Sequence, residues 1–69
     1  MRISARNVLQ GKIKNIVAGA VNAEVIVELP GGQEIVAVVT LSSVKSLSLR
    51  EGMLASAIIK ASNVMLGVD

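Results

Sequence analysis

Two short segments near opposite ends of the chain carry residue types suited to holding a small anion. Ser4-Ala5-Arg6-Asn7 combines a guanidinium with a hydroxyl and an amide, and Lys60-Ala61-Ser62-Asn63 repeats this chemistry with an ammonium. Neither segment contains a carboxylate. A tetrahedral dianion offers only acceptor oxygens, so it is bound by backbone N–H groups, hydroxyls, amides and cations. The two segments are predicted to bind an oxyanion if the fold brings them together.

The same residues also have a purely structural interpretation. Ser4 and Arg6 could belong to a loosely ordered terminus, and Lys60 could be a strand residue with its amine in water. Against this, a hydrogen bond to a charged group contributes about 1.5–3 kcal/mol, so five or six such bonds would bind an anion strongly. Residue type and spacing leave both interpretations open.

Catalytic and metal sites find little support. The chain has no His, Cys or Tyr, and none of its serines lies in a Gly-x-Ser-x-Gly motif, so we expect no enzymatic activity. Zinc and calcium sites need His, Cys or clustered carboxylates. The sequence does not supply them, so no metal-cation site is expected.

Alternating apolar and polar residues predict that β-strands connect the two segments. Residues 8–17 and 21–29 alternate in this way. Pro30-Gly31-Gly32 predicts a hairpin turn into a third strand over residues 33–40, because Pro and Gly suit the central turn positions. Gly11, inside the first strand, indicates a bulge or a bend.

The spacing of the apolar residues changes after the third predicted strand. Apolar residues recur every third position within residues 41–49, which predicts a short helix, and strands are predicted over residues 53–61 and 64–68. The order β-β-β-α-β-β predicts an all-β fold, a five-stranded OB-like Greek-key barrel with one short helix between strands 3 and 4. Residues 1–69 are predicted to form a single domain.

Size and composition predict a homo-oligomer. A chain of 69 residues is near the lower limit for independent folding, and such domains often rely on disulfides, metals or association. The absence of Cys and His leaves association. The apolar run Ile35-Val36-Ala37-Val38-Val39 predicts burial on both faces, and Ile26 interrupts an outward polar row, as a contact with a partner chain would.

Two other functions stay open, an OB-type nucleic-acid-binding module and an assembly domain with no small ligand. Nucleic acid is disfavoured because the chain has no aromatic residue to stack on bases. No apolar run reaches the ~18 residues of a membrane helix, and the residues after Met1 do not form a signal peptide. We therefore expect no nucleic-acid or membrane partner and a cytoplasmic location.

Several short motifs, taken in order, resemble the molbindins, the Mop-type molybdate-binding domains, over essentially the whole chain. No single motif is decisive, but their order and spacing together are specific. The motifs are Ser4-Ala5-Arg6-Asn7, Asn22-Ala23-Glu24-Val25, Pro30-Gly31-Gly32, Val39-Thr40, Ser43-Val44, Leu47 to Leu49 with Gly52, and Lys60-Ala61 with Val64.

The resemblance implies a hexamer, a trimer of dimers, that stores or buffers molybdate or tungstate at subunit interfaces without an organic cofactor. Selection against sulfate would come from cavity size. Thr40 would be contributed by a neighbouring chain. The oxyanion site that the resemblance implies consists of Ser4, Arg6, Lys60, Ala61 and Ser62 together with Thr40. The donor chemistry of the first segment adds Ala5 and Asn7 to the predicted site. A second class of site near symmetry axes is placed at Gly19, Ala20, Val21, Asn22, Ser42 and Ser43, where a plain turn or helix cap is an equal alternative.

Overall fold

The computed structural model describes all residues, Met1 to Asp69. The chain forms one antiparallel sheet of four strands in the order β3-β2-β1-β4, with one short helix. Three consecutive strands with the fourth beside the first make a Greek key. The elements are β1 (Asn7–Ala18), β2 (Asn22–Glu28), β3 (Glu34–Thr40), α1 (Leu41–Ser46), β4 (Leu54–Ile59) and a 3-10 turn (Ala61–Asn63).

Strand β1 runs through the whole sheet and curls it. Its first half, from Asn7 to Lys12, pairs with β4, and its second half, from Lys12 to Ala18, pairs with β2. A strand that changes partner along its length bends the sheet around its inner face. The all-β prediction and the Greek-key order are confirmed.

The bulge in β1 lies beyond the position that the sequence indicated. The register with β2 shifts between Ile13 and Asn15, so Lys14 is the extra residue. Side chains alternate along a strand, and the extra residue reverses the alternation. Ile16 therefore packs against the core, whereas Val17, which an unbroken alternation would place on the same face as Ile13, is exposed.

Gly11, where the sequence indicates a bulge or a bend, is not the bulged residue. A Cβ placed on it would lie 2.5 Å from the Glu28 carbonyl oxygen and 2.8 Å from Val27 Cγ1. Glycine is therefore required by the close approach of the β2 backbone, and the strand continues through it.

Both ends of the helix follow from local hydrogen bonds. The Thr40 hydroxyl accepts from the Ser43 N–H at 3.0 Å and caps the first turn. At the other end, Leu49 N–H donates to Val44 C=O at 2.9 Å and Ser48 N–H to Lys45 C=O at 3.0 Å. With Ser48 at φ 52°, this is a Schellman motif, which ends the helix three residues earlier than predicted.

The predicted turn at Pro30-Gly31-Gly32 is present. Gly32 N–H donates to Leu29 C=O at 2.9 Å, Leu29 N–H donates to Gln33 C=O at 2.8 Å, and Gly32 adopts φ 90°. The turn joins β2 to β3 in register, from the Glu28–Glu34 pair to the Asn22–Thr40 pair.

The predicted fifth strand is absent, so the sheet has four strands rather than five. The 3-10 turn after β4 redirects the chain, and residues 64–68 pair with no strand. A strand requires a hydrogen-bonded neighbour, and these residues have none within their own chain. Three of their apolar side chains are almost fully exposed, Met65 by 91%, Leu66 by 95% and Val68 by 99%, and Val64 is 47% exposed.

The core of the single chain is small. Its fully buried apolar side chains are Ile13, Ala23, Val25 and Val27 on the inner face of the sheet. The prediction that β3 is buried on both faces is wrong for the isolated chain, because Val36 and Val38 point away from the core and stay 56% and 67% exposed. No helix in the fold is long and apolar enough to cross a membrane.

Candidate functional site

The pairing of β1 with β4 brings the two anion-binding segments together. The last pair in this ladder is Asn7 with Ile59, so the residues before Asn7 and after Ile59 lie side by side at one end of the sheet. An open cavity of about 590 Å³ lies between them. The residues that line it are Ser4, Ala5, Arg6, Ile58, Lys60, Ala61 and Ser62.

The cavity is electropositive and rich in donors. Arg6 and Lys60 are its charged residues, and no carboxylate lines it. The single ion pair of the chain and its few side-chain hydrogen bonds all lie elsewhere, so these two cations have no counter-charge. Such a site attracts an anion and supplies donors to it without first breaking internal bonds.

Backbone geometry adds donors at the second segment. The first hydrogen bonds of the 3-10 turn run from Asn63 N–H to Lys60 C=O at 2.9 Å and from Val64 N–H to Ala61 C=O at 3.3 Å. The N–H groups of Ala61 and Ser62 precede these bonds, as the first N–H groups of any helical turn do. Ala61 has a small side chain, so its backbone is accessible from the cavity.

Two predicted site residues lie outside this cavity. Asn7 is already within β1, one residue from Arg6, and therefore faces the other side of the sheet. Thr40 ends β3, and β3 and β4 are the opposite edges of the sheet. The Thr40 hydroxyl also donates to Ser43 Oγ at 2.9 Å. One chain therefore does not bring Thr40 to the anion, and its contribution from a neighbour stays a prediction.

The predicted second site is only partly assembled. Gly19 and Asn22 line a surface cavity at the β1–β2 turn, and Glu24 lines it as well. Leu41 N–H donates to Val21 C=O at 2.9 Å, which holds this turn against the start of the helix that carries Ser42 and Ser43. Ala20 does not line the cavity. The carboxylate opposes anion binding here, and the assignment stays a prediction.

Sequence reasoning missed Ile58. It lines the anion cavity although nothing in its type suggests a binding role. Its position in the sequence could have indicated this, because a residue two before Lys60 on a strand lies on the same face as Lys60.

The one ion pair stabilises the sheet away from the cavity. Lys14, at the bulge, reaches across β2 to Glu34 on β3. The hydrogen bond to Glu34, together with its negative charge, raises the pKa of the Lys14 amine. Both side chains are well exposed, so water screens the pair and its contribution to stability is small.

Known proteins match this chain over nearly its whole length. Residues 3–66 match the TOBE domain family. The "Probable molybdenum-pterin-binding protein" of Haemophilus influenzae is 49% identical over 69 residues, which is the full length of both chains.

Two solved structures have the same fold. MopII from Clostridium pasteurianum superposes with a TM-score of 0.92 at 40% identity, covering 97% of this chain and 100% of that one. The cytoplasmic molybdate-binding protein ModG, solved with molybdate bound, superposes with a TM-score of 0.95 at 56% identity, covering 100% of this chain and 49% of ModG. The chain belongs to the TOBE domain family and, within it, to the Mop-type molbindins. The resemblance seen in the sequence is thereby confirmed.

Proposed function

We propose that the protein binds molybdate, and tungstate with it, reversibly and without catalysing a reaction. The observation that carries the proposal is the cavity that Arg6 and Lys60 line together with residues that offer hydroxyl and backbone donors, and with no carboxylate. Relatives that are named for binding molybdenum-pterin or molybdate support the choice of anion.

The bare oxyanion is the ligand that these residues suit. A pterin ring is best held by stacking against aromatic side chains, and the chain has none. The cavity donors instead match an ion with acceptor oxygens on all sides. We therefore expect binding that needs no organic cofactor.

We propose that the binding unit is a homo-oligomer, a hexamer arranged as a trimer of dimers. The small core supports association, as does an apolar groove of about 470 Å³ on the inner face, lined by residues such as Val39, Leu49 and Met53. The exposed apolar segment 64–68 of a second copy suits this groove. The groove lies between edge strands, which can accept a further strand.

Association would also complete the anion site. The cavity is open and much larger than one tetrahedral anion, so donors from one chain surround only part of the ligand. A neighbouring Thr40 at a subunit interface would supply a hydroxyl on the open side. Storage or buffering of the anion in the cytoplasm is the role we propose, in line with the cytoplasmic protein ModG.

Replacing Arg6 tests the site directly. We expect Arg6→Ala to weaken molybdate binding at least tenfold, because a lost charged hydrogen bond costs about 1.5–3 kcal/mol. The matched control is Arg2→Ala, which removes the same charge from a residue outside the cavity. Equilibrium dialysis with molybdate measures both affinities, and circular dichroism verifies folding. Equal affinities for the two variants would place the anion elsewhere.

A further inference from the structure

Ile58 is the only large apolar side chain in the anion cavity. It is 48% exposed and lies one pair from the end of the β1–β4 ladder. Lys60 continues β4 with extended backbone, so Ile58 shares its face with Lys60, and both line the cavity with Arg6. Ile58 and Val8 are direct cross-strand partners. The pair of cations is thus followed on the same face by a pair of β-branched aliphatic residues.

An aliphatic wall affects anions according to how strongly they hold water. An anion bound against Ile58 gives up hydration on that side and receives no donor in return. For ions of equal charge, the Born cost of dehydration is greater for the smaller ion. Sulfate is smaller than molybdate or tungstate, so the wall disfavours sulfate more.

We infer that Ile58 is a specificity-determining residue, which selects the larger oxyanions over sulfate by leaving one side of the bound ion unhydrated. This inference rests on the proposed function. Selection between oxyanions would then depend on the polarity of the cavity wall as well as on the size of the cavity.

A purely structural role would have different consequences. Apolar cross-strand pairs stabilise sheets, so substitutions of Ile58 or Val8 are both expected to lower the melting temperature. Only a residue in contact with the anion changes the ratio of two anion affinities. The ratio of molybdate to sulfate affinity therefore separates the two roles.

Three variants of the intact protein test the inference. Ile58→Val widens the cavity slightly and keeps the wall apolar. Ile58→Thr introduces a side chain of nearly the same shape as valine, with a hydroxyl that can donate to the anion. Val8→Thr is the matched control, since Val8 is the partner of Ile58 but does not line the cavity. Molybdate and sulfate affinities are measured by equilibrium dialysis for each variant and for the wild type.

We expect Ile58→Thr to lower the molybdate-to-sulfate ratio about fivefold relative to Ile58→Val, which is within the range of a single hydrogen bond. Val8→Thr should keep the wild-type ratio. Equal ratios for Ile58→Val and Ile58→Thr would overturn the inference and leave the proposed function intact. Absence of molybdate binding by the wild type would overturn both.

Discussion

Arg6 and Lys60 carry two like charges into one cavity with no internal counter-ion. Because neither cation has an internal partner, we propose that both serve anion binding rather than stability. Residue type alone predicted an anion site in these two segments. The pairing of β1 with β4 is what places the segments beside each other.

The close approach at Gly11 leads to a prediction at the residue scale. Gly11→Ala should lower the free energy of unfolding by about 1–3 kcal/mol, the usual effect of overpacking, because its Cβ would meet the Glu28 carbonyl oxygen at 2.5 Å. Gly67→Ala is the control, since a Cβ there meets nothing within 4 Å. Urea denaturation measures both. An unchanged midpoint for Gly11→Ala would contradict the described strand packing.

At the scale of elements, the sequence predicted what depends on local signals. The Pro30-Gly31-Gly32 turn and the helix that follows β3 depend on residues close together in the chain, and both are present. The bulge was predicted at the wrong residue because a glycine inside a strand can mark either a bulge or the close approach of a neighbouring backbone. Only the position of the β2 backbone beside Gly11 decides between the two. The strand predicted over residues 64–68 failed because pairing requires a partner strand, which periodicity does not reveal.

The helix cap gives a prediction at this scale. Thr40→Val should lower the free energy of unfolding by about 1 kcal/mol, because its side chain cannot accept the Ser43 N–H. Thr40→Ser keeps the hydroxyl and should stay close to the wild type. Thermal unfolding in the absence of anion measures the cap alone. A loss of stability in Thr40→Ser with none in Thr40→Val would show that the methyl group, and not the cap, stabilises this end of the helix.

The same pair of variants tests the proposed contribution of Thr40 to a neighbouring site. If its hydroxyl contacts the anion in the oligomer, Thr40→Val should weaken molybdate binding several-fold, in keeping with the loss of one hydrogen bond, while Thr40→Ser should preserve it. Equilibrium dialysis on oligomers of verified mass measures this. Full affinity in Thr40→Val would remove Thr40 from the site.

At the scale of the whole molecule, one chain leaves much apolar surface in water. Val36 and Val38 on the outer face and most apolar side chains of the segment 64–68 are exposed, and the fully buried core is confined to a few residues of β1 and β2. Exposed apolar surface of this extent commonly marks an interface. The predicted burial of β3 on both faces is wrong for one chain, and association would restore it.

Removing residues 64–69 tests this view of assembly. The segment forms no strand and contributes nothing to the buried core of its own chain, so the shortened protein should keep its sheet. We expect it to form smaller species than the full chain, as measured by light scattering after gel filtration, with circular dichroism reporting the fold. An oligomer of unchanged size would show that association uses other surfaces.

The most direct test of the central claim is the binding of molybdate by the purified protein, measured by calorimetry and equilibrium dialysis with sulfate as the comparison. We predict saturable binding of molybdate, much weaker binding of sulfate, and a stoichiometry per chain that shows whether subunits share sites. Binding of neither anion would contradict the account and would leave Ser4, Arg6 and Lys60 as ordinary residues at the ends of two strands.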